Sequence, residues 1–218
     1  MLYDSLSLDA VDVDGAVRET AEAVGDDTRA DFFRKAAIGG GGLVAGGALL
    51  GALPEIAGAQ TKGDVEILNF ALTLEFLEDE FYRQAVRNAG ITGDLQRLAK
   101  LVSNHETIHV KYLQKALGRA AVKKPTFDFG DTVTDRAKFL DTAIVLEDTG
   151  VAAYAGQGPR LRTKSIVAAA LSIHSVEARH AAAFRKIKGM PEAPRAFDRP
   201  LSMRQVLSAV KKTGFIKG

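Results

Sequence analysis

From residue 64 to residue 188, apolar side chains recur at alternating steps of three and four, the period of helices that bury one face. The first stretch has the inward line Val65, Leu68, Leu72, Glu75, Asp79, Tyr82, Val86, with Asp64 placed to cap it and Gly90 to end it. That predicts a helix over about 64–89. The second runs over about 94–117 through Leu98, Val102, Glu106, His109, Leu113 and Leu117, and stops at Gly118. The third, about 135–155, carries Leu140, Ala143, Glu147, Val151 and Tyr154 and is broken by Gly156-Gln157-Gly158-Pro159. The fourth, about 162–188, carries Ile166, Ala170, Ile173, Glu177, His180, Phe184 and Ile187, with Gly189 and Pro191 to end it.

Connection lengths then suggest the topology. Residues 90–93 form a link short enough to make the first two helices antiparallel neighbours. Residues 119–134 are a connection of 16 residues. Fully extended it spans on the order of 50 Å, against about 36 Å for a helix of about 24 residues. The second helical pair therefore need not start where the first ended. The fold expected is all-α: a four-helix bundle over 60–190 with one long crossover between helices 2 and 3. A tail over 191–218 follows, with a short amphipathic helix near 203–211 capped by Ser202, packed on the bundle or serving an interface.

Each helical stripe is interrupted by acid, and the interruptions repeat. His105-Glu106-Thr107-Ile108-His109 and Val176-Glu177-Ala178-Arg179-His180 each hold a Glu-x-x-His, which puts a carboxylate and an imidazole on one helix face, one turn apart. Each is preceded by a lone Glu with a Tyr seven residues on: Glu75 with Tyr82, and Glu147 with Tyr154. Glu75 precedes Glu106 by 31 residues and Glu147 precedes Glu177 by 30, so one helical pair is written twice. Four carboxylates meeting in one apolar core would repel one another and take up protons. Two divalent cations remove that difficulty, four Glu supplying −4 against +4, with two neutral imidazoles completing the shell. Glu75, Glu106, His109, Glu147, Glu177 and His180 are thus the candidate ligands, and oxygen with imidazole and no thiolate suits two Fe or two Mn ions.

Neighbouring residues are assigned lesser roles. Tyr82 and Tyr154 are core residues whose hydroxyls are placed to hydrogen-bond the metal-binding carboxylates or to supply an electron. Glu78 and Glu80 fall off the stripe and are expected in solvent. Asp79 and Asp148 are read as surface residues that could instead accept from the outer nitrogen of a ligand His. His105 and His174 are read as ordinary helix residues, His174 being the better spare ligand, one turn before Glu177. Replacing Glu106 by Gln is expected to abolish metal loading while leaving the metal-free protein as stable or more stable, one repelling charge being gone.

The amino-terminal part is of another kind. Residues 36–54 carry no charge and seven glycines, follow Arg34-Lys35, and precede Ala57-Gly58-Ala59, a small-residue site. This predicts an export leader over 1–59, cleaved after about Ala59, and not a lasting membrane span. Thr28-Arg29-Ala30-Asp31-Phe32-Phe33-Arg34-Lys35 resembles a twin-arginine export motif with Ala30 in place of the second arginine. A retained anchor or a linker is the other reading of this segment. The whole chain has 29 basic and 27 acidic residues, net +2; residues 60–218 alone have 25 and 17, net +8. That surplus favours anionic small molecules or surfaces, but no basic motif interleaved with aromatics points to nucleic acid. There is no cysteine, hence no disulfide and no thiolate site.

The paired motifs Glu75-x6-Tyr82, Glu106-x-x-His109, Glu147-x6-Tyr154 and Glu177-x-x-His180 resemble the ferritin-like superfamily of di-metal carboxylate proteins. The wording of Leu72-Thr73-Leu74-Glu75-Phe76-Leu77-Glu78 and of Leu146-Glu147-Asp148-Thr149-Gly150-Val151-Ala152-Ala153-Tyr154 is similar to its branch of exported bacterial ferritin-like and desiccation-related proteins. The resemblance implies a ferritin-like bundle with one long crossover and carries the same six residues over as metal ligands. It implies no single reaction, since members oxidise ferrous iron, act on peroxide, or have no established activity. Two functions are therefore expected to compete. One is an exported di-iron or di-manganese oxidoreductase acting on O₂ or peroxide; the other is a non-catalytic, stress-protective bundle of the cell envelope. Monomer and homo-oligomer both stay open.

Overall fold

The computed structural model describes residues 60–217. The expected leader, with Arg34-Lys35, the glycine-rich run and Ala57-Gly58-Ala59, lies outside the described residues. Four long helices form the body: α1 Lys62–Asn88, α2 Gly93–Leu117, α3 Arg136–Gln157 and α4 Lys164–Lys188. A shorter α5, Met203–Thr213, follows. The helices α1 and α2 pack as one hairpin and α3 and α4 as another. Between the hairpins runs the long crossover, which holds a short strand β1, Thr126–Phe127, and a 3₁₀ turn, Gly130–Val133. No helix among the described residues is long and apolar enough to cross a membrane.

The helix starts follow local chemistry, with one redistribution of roles. Thr61, not Asp64, is the N-cap of α1; Asp64 is the third helical residue and closes a capping box with it. Asp64 also accepts from the Arg162 backbone N–H and the Thr163 hydroxyl, each at 2.8 Å, tying the start of α1 to the link before α4. Asp135 caps α3, and Ser202 with Gln205 forms a second capping box on α5.

Acids divide the apolar core into two blocks. One contains Phe81, Tyr82, Phe139 and Phe184 with Leu95 and Val102; the other contains Leu72, Leu113, Ile166 and Ile173. In α1 and α2 the first block draws on the C-terminal half of one and the N-terminal half of the other, as antiparallel packing requires. The tail belongs to this architecture. Val206 and Val210 of α5 are buried in the first block, and β2, Ile216–Lys217, pairs antiparallel with β1, Thr126 facing Lys217 and Phe127 facing Ile216. Of the two places open to the tail, it takes the one on the bundle.

Gly156 corrects an expectation. It was expected to break α3 with its neighbours, yet the helix continues through it to Gln157. The tail backbone crosses here: a Cβ on Gly156 would stand 1.9 Å from the carbonyl oxygen of Leu201, whose N–H donates to Ala152 at 3.0 Å. Glycine thus provides the space for the crossing. Gly→Ala inside a helix ordinarily stabilises by about 0.5–1 kcal/mol. Gly156→Ala is expected to do the reverse, losing on the order of 1–3 kcal/mol through overpacking, which chemical denaturation of the two proteins checks.

Candidate metal centre

Midway along the bundle each helix presents one acid to the same place. Glu75, Glu106, Glu147 and Glu177 are at most 1 % exposed, His109 and His180 at most 6 %. The helical phase explains the convergence, because each acid occupies an inward position and antiparallel pairing sets all four at one level. His109 Nδ1 lies 3.2 Å from Glu75 Oε2, 3.0 Å from Glu106 Oε2 and 3.2 Å from Glu177 Oε1. His180 Nδ1 lies 3.0 Å from Glu147 Oε2, 3.3 Å from Glu106 Oε1 and 4.0 Å from Glu177 Oε2. Glu106 and Glu177 therefore each turn one oxygen toward either imidazole, while Glu75 serves only the His109 side and Glu147 only the His180 side.

Two overlapping groups result: Glu75, Glu106, His109, Glu177 and Glu106, Glu147, Glu177, His180. In each, one donor atom per residue lies within 4.8 Å of all the others, so either group could hold a metal ion. Whether the donors suit a cation is tested by their hydrogen bonding. An imidazole Nδ1 carries at most one proton, and each is surrounded by three carboxylates. Glu106 Oε1 and both oxygens of Glu177 accept no hydrogen bond among the described residues. Buried acceptors without donors are costly, by about 1–3 kcal/mol each and more when charged. A cation would satisfy all three at once, and the donor set fits.

Without a cation, protons must take over that task. Burial alone would depress His109 and His180, but the carboxylates beside them prevail: His109 is held well above its usual value by Glu106 and Glu75, and His180 rises to about 10. Burial pushes Glu75 up to about 7 even with His109 beside it, and raises Glu177 well above the carboxylate range together with the charges of Glu106 and Glu147. Glu106 goes the other way. Burial opposes its charge, yet the two imidazoles hold it well below the usual range.

The tyrosines act across the bundle. The Tyr82 hydroxyl on α1 donates to Glu147 Oε1 on α3, and Tyr154 on α3 donates to Glu75 Oε1 on α1 at 2.6 Å. Both phenols are raised well above their usual pKa, by burial first and by the accepting carboxylate next, so both remain donors. Each hydroxyl thus meets a candidate ligand carboxylate, that of the other copy of the motif and not the Glu seven residues before it.

Three lesser assignments change, those of Glu78, Asp79 and His105. Glu78, expected in solvent, is 3 % exposed and stands beside the acidic centre, outside both donor groups, and burial with the charges of Glu177 and Glu147 raises its pKa well above the usual range. Glu80, by contrast, is half-buried and pairs with Lys124 at 2.7 Å. Neither Asp79 nor Asp148 meets a histidine: Asp79 is buried and accepts from Thr107 at 2.7 Å, while Asp148 pairs with Arg185. The outer nitrogen of His180 is met by His105, whose Nδ1 is 2.8 Å from His180 Nε2 with the rings stacked. Burial and the neighbouring His180 and His109 lower the pKa of His105, so its neutral ring accepts the N–H of His180. His174 is half-buried and stands outside both groups.

A family model described as the ferritin-like domain matches residues 63–190. No curated protein matches the chain. The matched stretch exceeds half the chain and spans all four long helices with the paired acidic groups between them, and the chain belongs to the ferritin-like domain family.

Proposed function

We propose that the protein is a di-metal carboxylate oxidoreductase of the cell exterior that reacts with O₂ or peroxide, with ferrous iron as one candidate reductant. The observation that carries this reading is the convergence of six buried donors with three carboxylate oxygens that accept no hydrogen bond among the described residues. Glu75 and His109 would hold one cation, Glu147 and His180 the other, and Glu106 and Glu177 would span both. Two adjacent iron or manganese ions, when bound, supply Lewis acidity and two centres able to change oxidation state. The chain's own contribution is positional. Tyr82 and Tyr154 fix the free oxygens of the two terminal carboxylates by donation, and His105 orients the His180 ring. Apolar blocks above and below exclude water from the centre, which strengthens every charge interaction within it.

The test is a peroxide-consumption and ferrous-oxidation assay on protein isolated with its native metal and characterised by elemental analysis. Metal-dependent turnover that disappears on chelation supports the proposal. Stoichiometric metal without turnover above background would leave a metal-stapled protective bundle in its place.

A further inference from the structure

The duplicated pattern breaks just beyond the first Glu of each copy. Three residues beyond Glu75 stands Glu78, whereas three residues beyond Glu147 stands Gly150. The two positions face each other across the bundle. A Cβ on Gly150 would lie 3.5 Å from Glu78 Oε1 and 3.3 Å from Glu177 Oε2, so two carboxylate oxygens from α1 and α4 flank the methyl group that α3 lacks. Glu78 is nearly fully buried, and among the described residues it forms no hydrogen bond or ion pair. Glu177, its neighbour across this gap, is itself fully buried, and neither of its oxygens accepts a hydrogen bond among the described residues. A structural acid would have a lysine, arginine or backbone N–H beside it. Glu78 has four other glutamates around it instead.

We propose that Glu78 is a seventh donor to the metal pair, reaching through the space left by Gly150 to the side where Glu177 and His180 stand. The pair is thereby unequal: one side is held by the six-donor pattern alone, the other by that pattern and an extra carboxylate. Five carboxylates bring −5 against the +4 of two divalent ions. The surplus favours a pair of higher total charge, so the seventh donor belongs with metals that change oxidation state. This rests on the metal-binding reading above.

Cobalt(II) provides the test, because its visible absorption reports its coordination number and needs no turnover. The full chain is titrated with Co²⁺ as the parent and as Glu78→Gln, followed by calorimetry and by absorption. The expected result is two ions in each protein, with one bound at least tenfold more weakly in the variant and its visible bands shifted and altered in strength. Glu78→Asp, which keeps the charge and shortens the reach, is expected to alter the same bands and serves if the Gln variant does not fold. Parent and variants that bind two Co²⁺ with the same affinities and spectra would overturn the seventh donor and leave the six-donor site standing. A metal-free Glu78→Gln protein that melts well below the parent would also overturn it, by making Glu78 a structural partner. A parent that binds no Co²⁺ would defeat the metal-binding reading itself and this inference with it.

Discussion

Glu177→Gln is expected to abolish paired-metal loading while leaving the metal-free bundle at least as stable as the parent. Glu177 is completely buried, turns an oxygen toward each imidazole, and receives no hydrogen bond on either among the described residues. Its raised pKa comes from burial and from the charges of Glu106 and Glu147. In the metal-free core it is thus an acid that favours its neutral form. The amide keeps the shape of the protonated acid that this core favours and carries no charge, so the metal-free bundle loses little by the exchange. Removing a shared ligand is expected to cost on the order of a hundredfold or more in affinity for the pair. Glu106→Gln separates the two spanning acids. Spacing alone led to the expectation that Glu106→Gln leaves the metal-free protein as stable or more stable, but Glu106 lies between both imidazoles and is held ionised by them. Without it two buried cationic rings lose their common counter-ion, a loss of about 3–5 kcal/mol. Thermal melts of the two metal-free variants, with Mn²⁺ titrations of each, decide the matter. Equal destabilisation by both would contradict the division of roles.

The second large effect is on pH. Glu75 moves from 4.5 to about 7 on folding and His180 from 6.5 to about 10. A group raised on folding binds more protons folded than unfolded between those two values. Its contribution is therefore complete below the unfolded value and is lost as pH climbs through the folded one. Stability of the metal-free protein is expected to fall from about pH 5 toward pH 9. Glu106, lowered on folding, acts oppositely: its contribution is present above 4.5 and lost on acidification. The optimum of the metal-free form should lie on the acid side of neutrality, with the melting temperature at pH 9 lower by on the order of 10 °C, as a few kcal/mol gives for a domain of this size. A metal ion competes with the same protons, so its affinity rises with pH. At a hundredfold excess over Kd it adds about 2.7 kcal/mol, and the pH trend should flatten or reverse. Melts at pH 6 and 9, with chelator and with Mn²⁺, measure both. A metal-free protein more stable at pH 9 than at pH 6 would contradict the charge assignment.

How much of this was legible in the chain depended on whether the signal was local. The four helices, the antiparallel hairpins and the convergence of Glu75, Glu106, His109, Glu147, Glu177 and His180 follow from helical phase and from a motif written twice. Glu78 was missed because an inward line can step from 75 to 82 through either 78 or 79, and spacing alone does not choose. Both positions are buried, but Asp79 meets Thr107 and Lys124 while Glu78 meets the acidic centre. Gly150 was the available signal, since a glycine within a helix asks what occupies its missing side chain. His105 had no counterpart in the second copy, where Val176 stands, and its partner His180 is 75 residues away on another helix. Gly156 likewise read as a breaker because the strand of tail that needs its space lies 45 residues further along.

The direct measurement is the anomalous scattering of crystals of the protein loaded with manganese. The account predicts two adjacent peaks inside the bundle, one against Nδ1 of His109 and the other against Nδ1 of His180, with oxygens of Glu106 and Glu177 touching both. No peak between the four helices, or peaks only at surface acids, would contradict it.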